Sequence, residues 1–289
     1  MRLEGERISV NDLAKYSIWP KRIFGCEEFA VKKKTTEEVT REYNSDKWGM
    51  LLDKIKSSNG NLEDLLSLTY DKSNMFPILI GNEIVLQNHF SAFNYYISLV
   101  AQTLKQYLPI HNLVELGAGS GNIILSLSKD EALKNANFYA GEYAQNGIDL
   151  IKSVAEKENI NIIVGKSDFT ADKIMDFAIP NNSVLFTSFA AICVPKLNDK
   201  FLDNILDLKP ALIVNFEPCY EYYEENTILG LMQKKYIELN DYNTNIASLL
   251  HKWHEKGKIK ILDVRKNIFG SNPFLPASII VWRPTTYEG

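Results

Sequence analysis

The chain has little cysteine, no long hydrophobic run and no excess of basic residues. Its three cysteines (Cys26, Cys193 and Cys219) lie far apart and form no CxxC pair, which argues against a disulfide framework and a structural zinc site. No His, Cys or Asp spacing meets the requirements of a metal site, so we predict no metal. No apolar run approaches the roughly 20 residues that cross a bilayer, and the first residues lack the apolar segment of a secretory signal. The sequence therefore predicts a cytoplasmic protein with reduced thiols and no membrane partner.

The charge balance offers no general field for holding nucleic acid. Lysine and arginine total 32 against 36 aspartates and glutamates, which gives a net charge of -4. We interpret the dense basic run Lys32–Lys34 as a solvated surface, with a local contact to an anion or RNA as the alternative. The expected partner is a small-molecule acceptor, and no nucleic acid is expected. The assembly state stays open, with a homodimer as one option.

Hydrophobic periodicity divides the chain after residue 88. Residues 1–88 are predicted to be a mainly helical lid that recognises the substrate, with a capping box at Thr35–Glu38. Residues 89–289 begin with an amphipathic helix and then alternate apolar runs with helical segments, which predicts a parallel sheet covered on both faces. The last two runs are joined at Gly270–Pro273, too short a connection for a crossover helix. The predicted fold is α/β, a doubly wound and mostly parallel seven-stranded sheet that ends in an antiparallel hairpin.

A glycine-rich bend follows the first of these strands, in the run Glu115-Leu116-Gly117-Ala118-Gly119-Ser120-Gly121. Glycines let the backbone approach a ligand closely, and the helix that follows presents free N–H groups at the carboxyl edge of the sheet. The spacing is Gly-x-Gly-x-Gly, not the Gly-x-Gly-x-x-Gly of dinucleotide sites, and the Gly-Lys-Ser/Thr of a P-loop is absent. The preceding acid, Glu115, disfavours a pyrophosphate and suits a sulfonium or ammonium cation.

The run Val114–Gly121 resembles the glycine loop of class I S-adenosylmethionine-dependent methyltransferases, and the resemblance extends over residues 112 to 284. It implies that the loop wraps the methionine and ribose of S-adenosylmethionine, which leaves as S-adenosylhomocysteine. It also implies that Glu142 binds the ribose hydroxyls and that Asp168, beside Phe169, binds the adenine amino group. Taken singly, Glu142 also fits a solvated strand end and Asp168 a helix cap. The predicted cofactor-binding residues are Glu115, Gly117, Ala118, Gly119, Gly121, Glu142, Asp168 and Phe169.

The acceptor site is expected at the ends of strands four and five. The run Glu217–Glu225 holds four carboxylates and three tyrosines, a group that suits a cationic acceptor through ion pairing and cation–π contact. A surface helix start with acidic residues is the alternative. His89 is a candidate base, with a helix-capping histidine as its alternative. The predicted catalytic residues are Glu217, Tyr220 and His89, and the predicted substrate-binding residues are Ser188, Phe189, Glu221 and Tyr223.

These observations favour a methyltransferase that acts on a small molecule, with an amine or guanidino nitrogen as the acceptor. The alternatives are methylation of oxygen on a hydroxylated metabolite and methylation of protein or tRNA. A nucleotide-dependent oxidoreductase and a non-catalytic methyltransferase-like partner protein are the hypotheses from other classes.

Overall fold

The computed structural model describes residues 5–30 and 35–285. Lys32–Lys34, interpreted above as a solvated surface, lie outside the described residues. The strands are β1 (Arg7–Ile8), β2 (Phe76–Ile80), β3 (Glu83–Gln87), β4 (Asn112–Leu116), β5 (Asn137–Glu142), β6 (Ile162–Lys166), β7 (Val184–Ser188), β8 (Leu212–Pro218), β9 (Ile259–Gly270) and β10 (Ala277–Pro284). The α-helices are α1 (Leu13–Tyr16), α2 (Trp19–Ile23), α3 (Thr36–Thr40), α4 (Met50–Lys56), α5 (Leu62–Thr69), α6 (His89–Lys105), α7 (Asn122–Leu127), α8 (Gln145–Lys157), α9 (Asp199–Asp207), α10 (Ile228–Leu239) and α11 (Ile246–Glu255). A π-helical segment, Arg41–Gly49, joins α3 to α4, and 3-10 turns span Val10–Asp12, Ala191–Cys193 and Tyr220–Tyr222.

The strands form one sheet in the order β1-β3-β2-β9-β10-β8-β7-β4-β5-β6. Neighbours among β6, β5, β4, β7 and β8 run parallel. The hairpin of β9 and β10 then pairs antiparallel with β8. The predicted doubly wound sheet with a terminal antiparallel hairpin is therefore confirmed. The predicted number of strands, seven, is corrected to ten within the described residues.

The three additional strands come from the part of the chain predicted to be helical. β2 and β3 form a hairpin around Gly81, whose φ is +56°, and β2 extends the sheet by pairing Leu79 and Ile80 with β9. The hairpin buries its apolar residues by extending the large sheet. This burial outweighs the preference of the neighbouring segments for helix. The sequence does carry the signal, because a two-residue Gly-Asn connection between two apolar runs is typical of a hairpin. The division of the chain after residue 88 stays a prediction.

Helices cover both faces of the parallel strands, which explains their nearly continuous apolar runs. On β8, Leu212, Val214 and Phe216 pack in the cluster formed with α6, α7 and α8. Ile213, which points to the other face, packs in the cluster formed with α9 and α11. None of the helices in the two described ranges combines the length and the hydrophobicity required to span a membrane.

The order of the parallel strands sets the position of the site. β4 lies between β5 and β7, so the chain leaves β4 and β7 toward opposite edges of the sheet. The connections that follow, with α7 on one face and α9 on the other, diverge at the carboxyl ends of these strands. A crevice opens at such a switch point in parallel sheets.

Candidate functional site

The glycine bend after β4 forms one wall of this crevice. Gly117, Gly119 and Gly121 have φ values of 74°, 59° and 79°, in the left-handed region that glycine adopts without steric cost. The N–H groups of Gly117 and Ala118 donate to the carbonyl of Gly141 at 2.8 and 2.9 Å. These bonds hold the bend against the end of β5.

Two of the three glycines lie at the cavity. Gly117, Ala118 and Gly119 line it, and a Cβ at Gly119 would come within 3.1 Å of the Trp48 ring. Gly121 is absent from the lining, and a Cβ there would lie 2.7 Å from Cγ1 of Ile151. Gly121 thus allows the close packing of α7 on α8, and its predicted contact with the cofactor stays a prediction.

Glu142, at the end of β5, is buried at the bend. Its Oε2 accepts a hydrogen bond from the N–H of Gly119 at 2.7 Å, and its Oε1 accepts one from the N–H of Ala144 at 3.0 Å. Burial raises the pKa of Glu142, and the two N–H donors act in the opposite direction. Because each carboxylate oxygen has a second lone pair and Glu142 lines the cavity, it can accept further hydrogen bonds from a bound molecule.

Glu115 is buried more deeply than Glu142 and stabilises the start of the helix that follows the bend. Its Oε2 accepts a hydrogen bond from the N–H of Ile124 at 3.1 Å, in the first turn of α7. Burial raises the pKa of Glu115 well above its ordinary value, and the neighbouring Glu142 raises it further. The carboxyl of Glu115 therefore retains its proton to a higher pH than an exposed glutamate does.

The loop after β6 adds Ser167, Asp168 and Phe169 to the lining. The buried Ser167 Oγ has no hydrogen-bond partner among the described residues. Asp168 Oδ1 accepts hydrogen bonds from the N–H and the hydroxyl of Thr170 at 2.8 and 2.7 Å. The Phe169 ring meets Phe201 edge-on, with 5.3 Å between ring centroids. A buried hydroxyl without a partner, a carboxylate and an aromatic face are suited to a polar heteroaromatic ring.

The crevice is a cavity of about 710 Å³, a volume typical of small-molecule sites. Among the described residues, its lining contains three carboxyl groups (Glu115, Glu142 and Asp168) and one imidazole (His89), but no lysine or arginine. Such a surrounding stabilises a cation and repels a pyrophosphate. Within the described ranges, no cluster of three or more His, Cys, Asp or Glu side chains could hold a metal ion.

The chain is similar to several solved structures. No protein-family model and no curated protein matches the chain. The small RNA methyltransferase HEN1 is similar at a TM-score of 0.49 and 11% identity, over 70% of this chain and 28% of that one. PigF with SAH is similar at a TM-score of 0.48 and 12% identity, over 81% of this chain and 62% of that one. A SAM-dependent methyltransferase from Aquifex aeolicus is similar at a TM-score of 0.43 and 15% identity, over 65% of this chain and 97% of that one.

Several of the solved structures that resemble this chain are methyltransferases. Some of them contain SAH or sinefungin. The chain spans less than two thirds of the first two structures.

Helix α6 forms another part of the cavity wall. His89, Phe93 and Tyr96 all line the cavity, because positions i, i+4 and i+7 fall on one helix face. His89 is half-buried and stacks on Phe76 with 3.9 Å between ring centroids. Burial lowers the pKa of His89, and the charge of Asp71 opposes this shift. The imidazole is therefore neutral, and able to accept a proton, at a lower pH than an ordinary histidine.

The end of β7 meets this face of α6. The hydroxyls of Ser188 and Tyr96 are hydrogen-bonded at 2.6 Å, and burial raises the pKa of Tyr96 well above its ordinary value, so Tyr96 stays a neutral hydroxyl. Phe189 has a left-handed φ of 51° and packs edge-on against Tyr96. A positive φ is strained for an aromatic residue. Ser188 and Phe189, predicted as substrate-binding, both line the cavity.

The carboxylate of Glu217, predicted to be catalytic, binds backbone groups of the protein. Its carboxylate is buried and accepts hydrogen bonds from the N–H groups of Ala190, Ala191 and Ile192 at 3.0, 3.0 and 3.2 Å. Burial raises the pKa of Glu217 to about 7, and these N–H donors oppose the shift. Glu217 is not among the lining residues. It binds the otherwise free donors of the turn after β7 and so positions Ala190, which does line the cavity.

The other members of the acidic and aromatic run also point away from the cavity. Tyr220 donates to Glu238 at 3.0 Å, and the buried Tyr223 donates to the carbonyl of Pro276 at 2.9 Å. Glu221 accepts from the N–H and hydroxyl of Ser248 at 2.7 and 2.5 Å, within the first turn of α11. The hydroxyls of Tyr220 and Tyr223 and the Oε1 of Glu221 therefore have partners within the protein, and the predicted acceptor-site roles of these residues stay predictions.

Sequence reasoning missed the aromatic residues that line the cavity besides Phe169 and Phe189. They are Tyr43, Trp48, Tyr70, Phe93, Tyr96, Tyr143 and Phe269. The only sequence signal is the helical spacing of Phe93 and Tyr96 after His89, which marks one face of α6. Tyr43, Trp48 and Tyr70 come from the region before α6, where no spacing relates them to the glycine bend.

Proposed function

We propose that the chain is an S-adenosylmethionine-dependent methyltransferase. The observation that carries this proposal is a glycine-rich bend beside a cavity whose described lining residues include three carboxyl groups and no lysine or arginine. A sulfonium nucleoside is cationic and carries no phosphate, so this surrounding suits it. The pyrophosphate of a nicotinamide cofactor would meet carboxylates without a compensating cation, which argues against the oxidoreductase hypothesis.

The residues at the bend fit this cofactor. Gly117 and Gly119 line the cavity without side chains of their own, and the family resemblance assigns this bend to the methionine and ribose. Glu142 would accept hydrogen bonds from the ribose hydroxyls, and Asp168 from the adenine amino group. The Ser167 hydroxyl, buried without a partner, is a further group for the adenosine. When bound, S-adenosylmethionine supplies an electrophilic methyl group on a positively charged sulfur.

The remaining lining supports an acceptor that is largely apolar, ring-shaped and hydroxylated. Tyr70 and Phe93 stack with 4.3 Å between centroids, and Tyr96 and Phe269 with 5.0 Å, so the wall offers aromatic faces and edges to a ring. The carboxylates of Glu217 and Glu221 bind backbone groups instead, which removes the basis for preferring a cationic nitrogen. We therefore favour oxygen as the methylated atom.

In this proposal His89 accepts the proton of the acceptor hydroxyl, because it is the one imidazole among the described lining residues and its pKa is lowered by burial. The paired hydroxyls of Tyr96 and Ser188 orient the acceptor through hydrogen bonds. The aromatic wall excludes water, and positioning provides most of the rate enhancement. The residues before α6 act as the lid, and with its three cysteines unpaired we assign the protein to the cytoplasm.

Calorimetry and a methyl-transfer screen test the proposal. S-adenosylhomocysteine should bind at micromolar strength, and NAD and NADP should not. Transfer of labelled methyl from S-adenosylmethionine should then be measured to phenolic and other hydroxylated ring compounds, to amines, and to tRNA. Binding of NAD in place of S-adenosylhomocysteine would overturn the assignment, and transfer to amines or tRNA alone would overturn the acceptor class.

A further inference from the structure

The π-helical segment Arg41–Gly49, which we call the strap, contacts both walls of the cavity. On the β5 side, the N–H and side-chain amide of Asn146 donate to the side-chain and backbone oxygens of Asn44, each at 2.8 Å. On the β7 side, the hydroxyl of Tyr43 lies 3.3 Å from the Sγ of Cys193. The strap is thereby held over the glycine bend from two directions.

Trp48 is the strap residue that reaches the bend. A Cβ at Gly119 would lie 3.1 Å from Cζ2 of its indole, and one at Gly147 would lie 3.1 Å from Cδ1. The indole edge that carries Nε1 therefore faces the gap between these two glycines. Glu142 is in the same gap, because its Cγ would lie 2.7 Å from that Cβ at Gly147. A side chain at either glycine position would crowd the indole, and one at Gly147 would also clash with the Glu142 side chain.

The indole N–H lacks a proper acceptor. Nε1 of Trp48 is buried and has no partner of good hydrogen-bond geometry, although the Glu142 carboxylate is near enough to interact with it. Buried donors are almost always satisfied in folded proteins. The two fully buried tryptophans follow this rule, since Trp253 donates to Asp199 and Trp282 to Asn215. An unsatisfied donor in the lining of a cavity indicates that a bound molecule supplies the acceptor.

We propose that Trp48 is a binding residue for the ribose of the cofactor, and that its Nε1–H donates to a ribose hydroxyl oxygen held by Glu142. The inference rests on the proposed function, since it needs a nucleoside at the bend. A vicinal diol fits this pair of groups: its hydroxyl hydrogens require acceptors, which Glu142 offers, and its oxygens require donors, which Trp48 offers. The indole ring at the same time covers the glycine bend and keeps water from the diol.

The test is calorimetric titration of S-adenosylhomocysteine into the wild-type protein, Trp48→Phe and Trp19→Phe. Loss of one hydrogen bond with the ring retained should raise the Kd of Trp48→Phe roughly 5- to 10-fold. Trp19→Phe is the matched control, because Trp19 packs on Tyr236 with 4.5 Å between centroids and does not line the cavity. Its Kd should match that of the wild type. Intrinsic fluorescence should change on binding in the wild type and in Trp19→Phe, and this change should be lost in Trp48→Phe.

A second titration identifies the atom. 5′-Methylthioadenosine and its 2′-deoxy and 3′-deoxy analogues should show the Trp48→Phe penalty only when the hydroxyl that Trp48 contacts is present. Equal affinity of wild type and Trp48→Phe would overturn the inference and leave the proposed function intact. Tighter binding by Trp48→Phe or Trp48→Ala would overturn it too, since the indole would then occupy the space of the cofactor. A wild-type protein that binds no S-adenosylhomocysteine would overturn the proposed function, and the role of Trp48 with it.

Discussion

The carboxylate of Glu142 accepts a hydrogen bond from the backbone N–H of Gly119 at 2.7 Å. This bond connects the end of β5 to the glycine-rich bend that follows the neighbouring strand β4. It fixes the bend and at the same time places an acidic group in the cavity. The predictions that concern the cofactor depend on this pair.

Glu142→Ala should weaken binding of S-adenosylhomocysteine by about 10- to 100-fold, because hydrogen bonds to a charged group contribute roughly 1.5–3 kcal/mol. The free energy of unfolding should also fall by about 1–2 kcal/mol, since the N–H groups of Gly119 and Ala144 lose their acceptor. Calorimetry and urea denaturation measure the two effects. Glu156→Ala, an exposed change on α8, is the control and should alter neither. Unchanged affinity in Glu142→Ala would show that the carboxylate does not contact the nucleoside.

Gly119→Ala should lose both stability and affinity, whereas Gly81→Ala should lose stability alone. Their φ values are nearly equal, 59° and 56°, so an added Cβ costs each about 1–2 kcal/mol of backbone strain. At Gly81 the Cβ meets nothing within 4 Å, but at Gly119 it meets the Trp48 ring at 3.1 Å. Urea denaturation measures the loss in the free energy of unfolding that both variants share. Titration with S-adenosylhomocysteine measures the loss of affinity expected in Gly119→Ala alone. Equal loss of affinity in both variants would mean that binding responds to general stability rather than to the bend.

Glu217 should make the stability of the protein depend on pH. Its pKa is raised from 4.5 to about 7 by burial, so between these values the folded protein holds a proton that the unfolded chain releases. The free energy of unfolding therefore falls as pH rises through this interval, by up to about 3 kcal/mol. Glu217→Gln cannot ionise and should lack this contribution.

Urea denaturation between about pH 4.5 and pH 8 gives the free energy of unfolding of the wild type and of Glu217→Gln. The difference between the two free energies should change with pH. Glu255→Gln, an exposed change at the end of α11, controls for the loss of a carboxylate. A wild-type-to-Glu217→Gln difference that stays constant over this range would contradict the buried, ionisable state of Glu217.

His89 should titrate below the ordinary value of 6.5, since burial lowers its pKa more than the charge of Asp71 raises it. Histidine NMR over a pH series measures the midpoint, and His89→Gln assigns the resonance. With a hydroxylated acceptor in hand, methyl transfer should rise as pH passes upward through that midpoint, because only the neutral imidazole accepts a proton. His89→Gln should lower the transfer rate about 100- to 10,000-fold and leave the affinity for S-adenosylhomocysteine unchanged. The control is His111→Gln, an exposed change outside the cavity, which should keep the wild-type rate.

Much of the fold was predictable because local patterns carry it. The alternation of apolar runs and amphipathic helices from β4 to β8 follows from burial on both faces, and the short connection at Gly270–Pro273 indicates the antiparallel pair. The hairpin of β2 and β3 had a local signal too, in the Gly-Asn turn after Ile80. What no local pattern indicates is that this hairpin joins β9, since that pairing links residues about 190 positions apart in sequence.

The sequence by itself determined the bend: three glycines before a helix start, with acids at the ends of adjacent strands, are local features whose geometry follows from backbone sterics. Tertiary structure alone decided which polar groups remain available to a ligand. Glu217 stands at a strand end just as Glu142 does, yet its carboxylate turns to three N–H donors of the neighbouring loop. Trp48 lies far from the bend in sequence, and the docking of the strap brings its indole there. The reason is that a side chain's partners depend on which buried donors and acceptors the folded chain leaves unsatisfied around it, and the order of residues does not specify these.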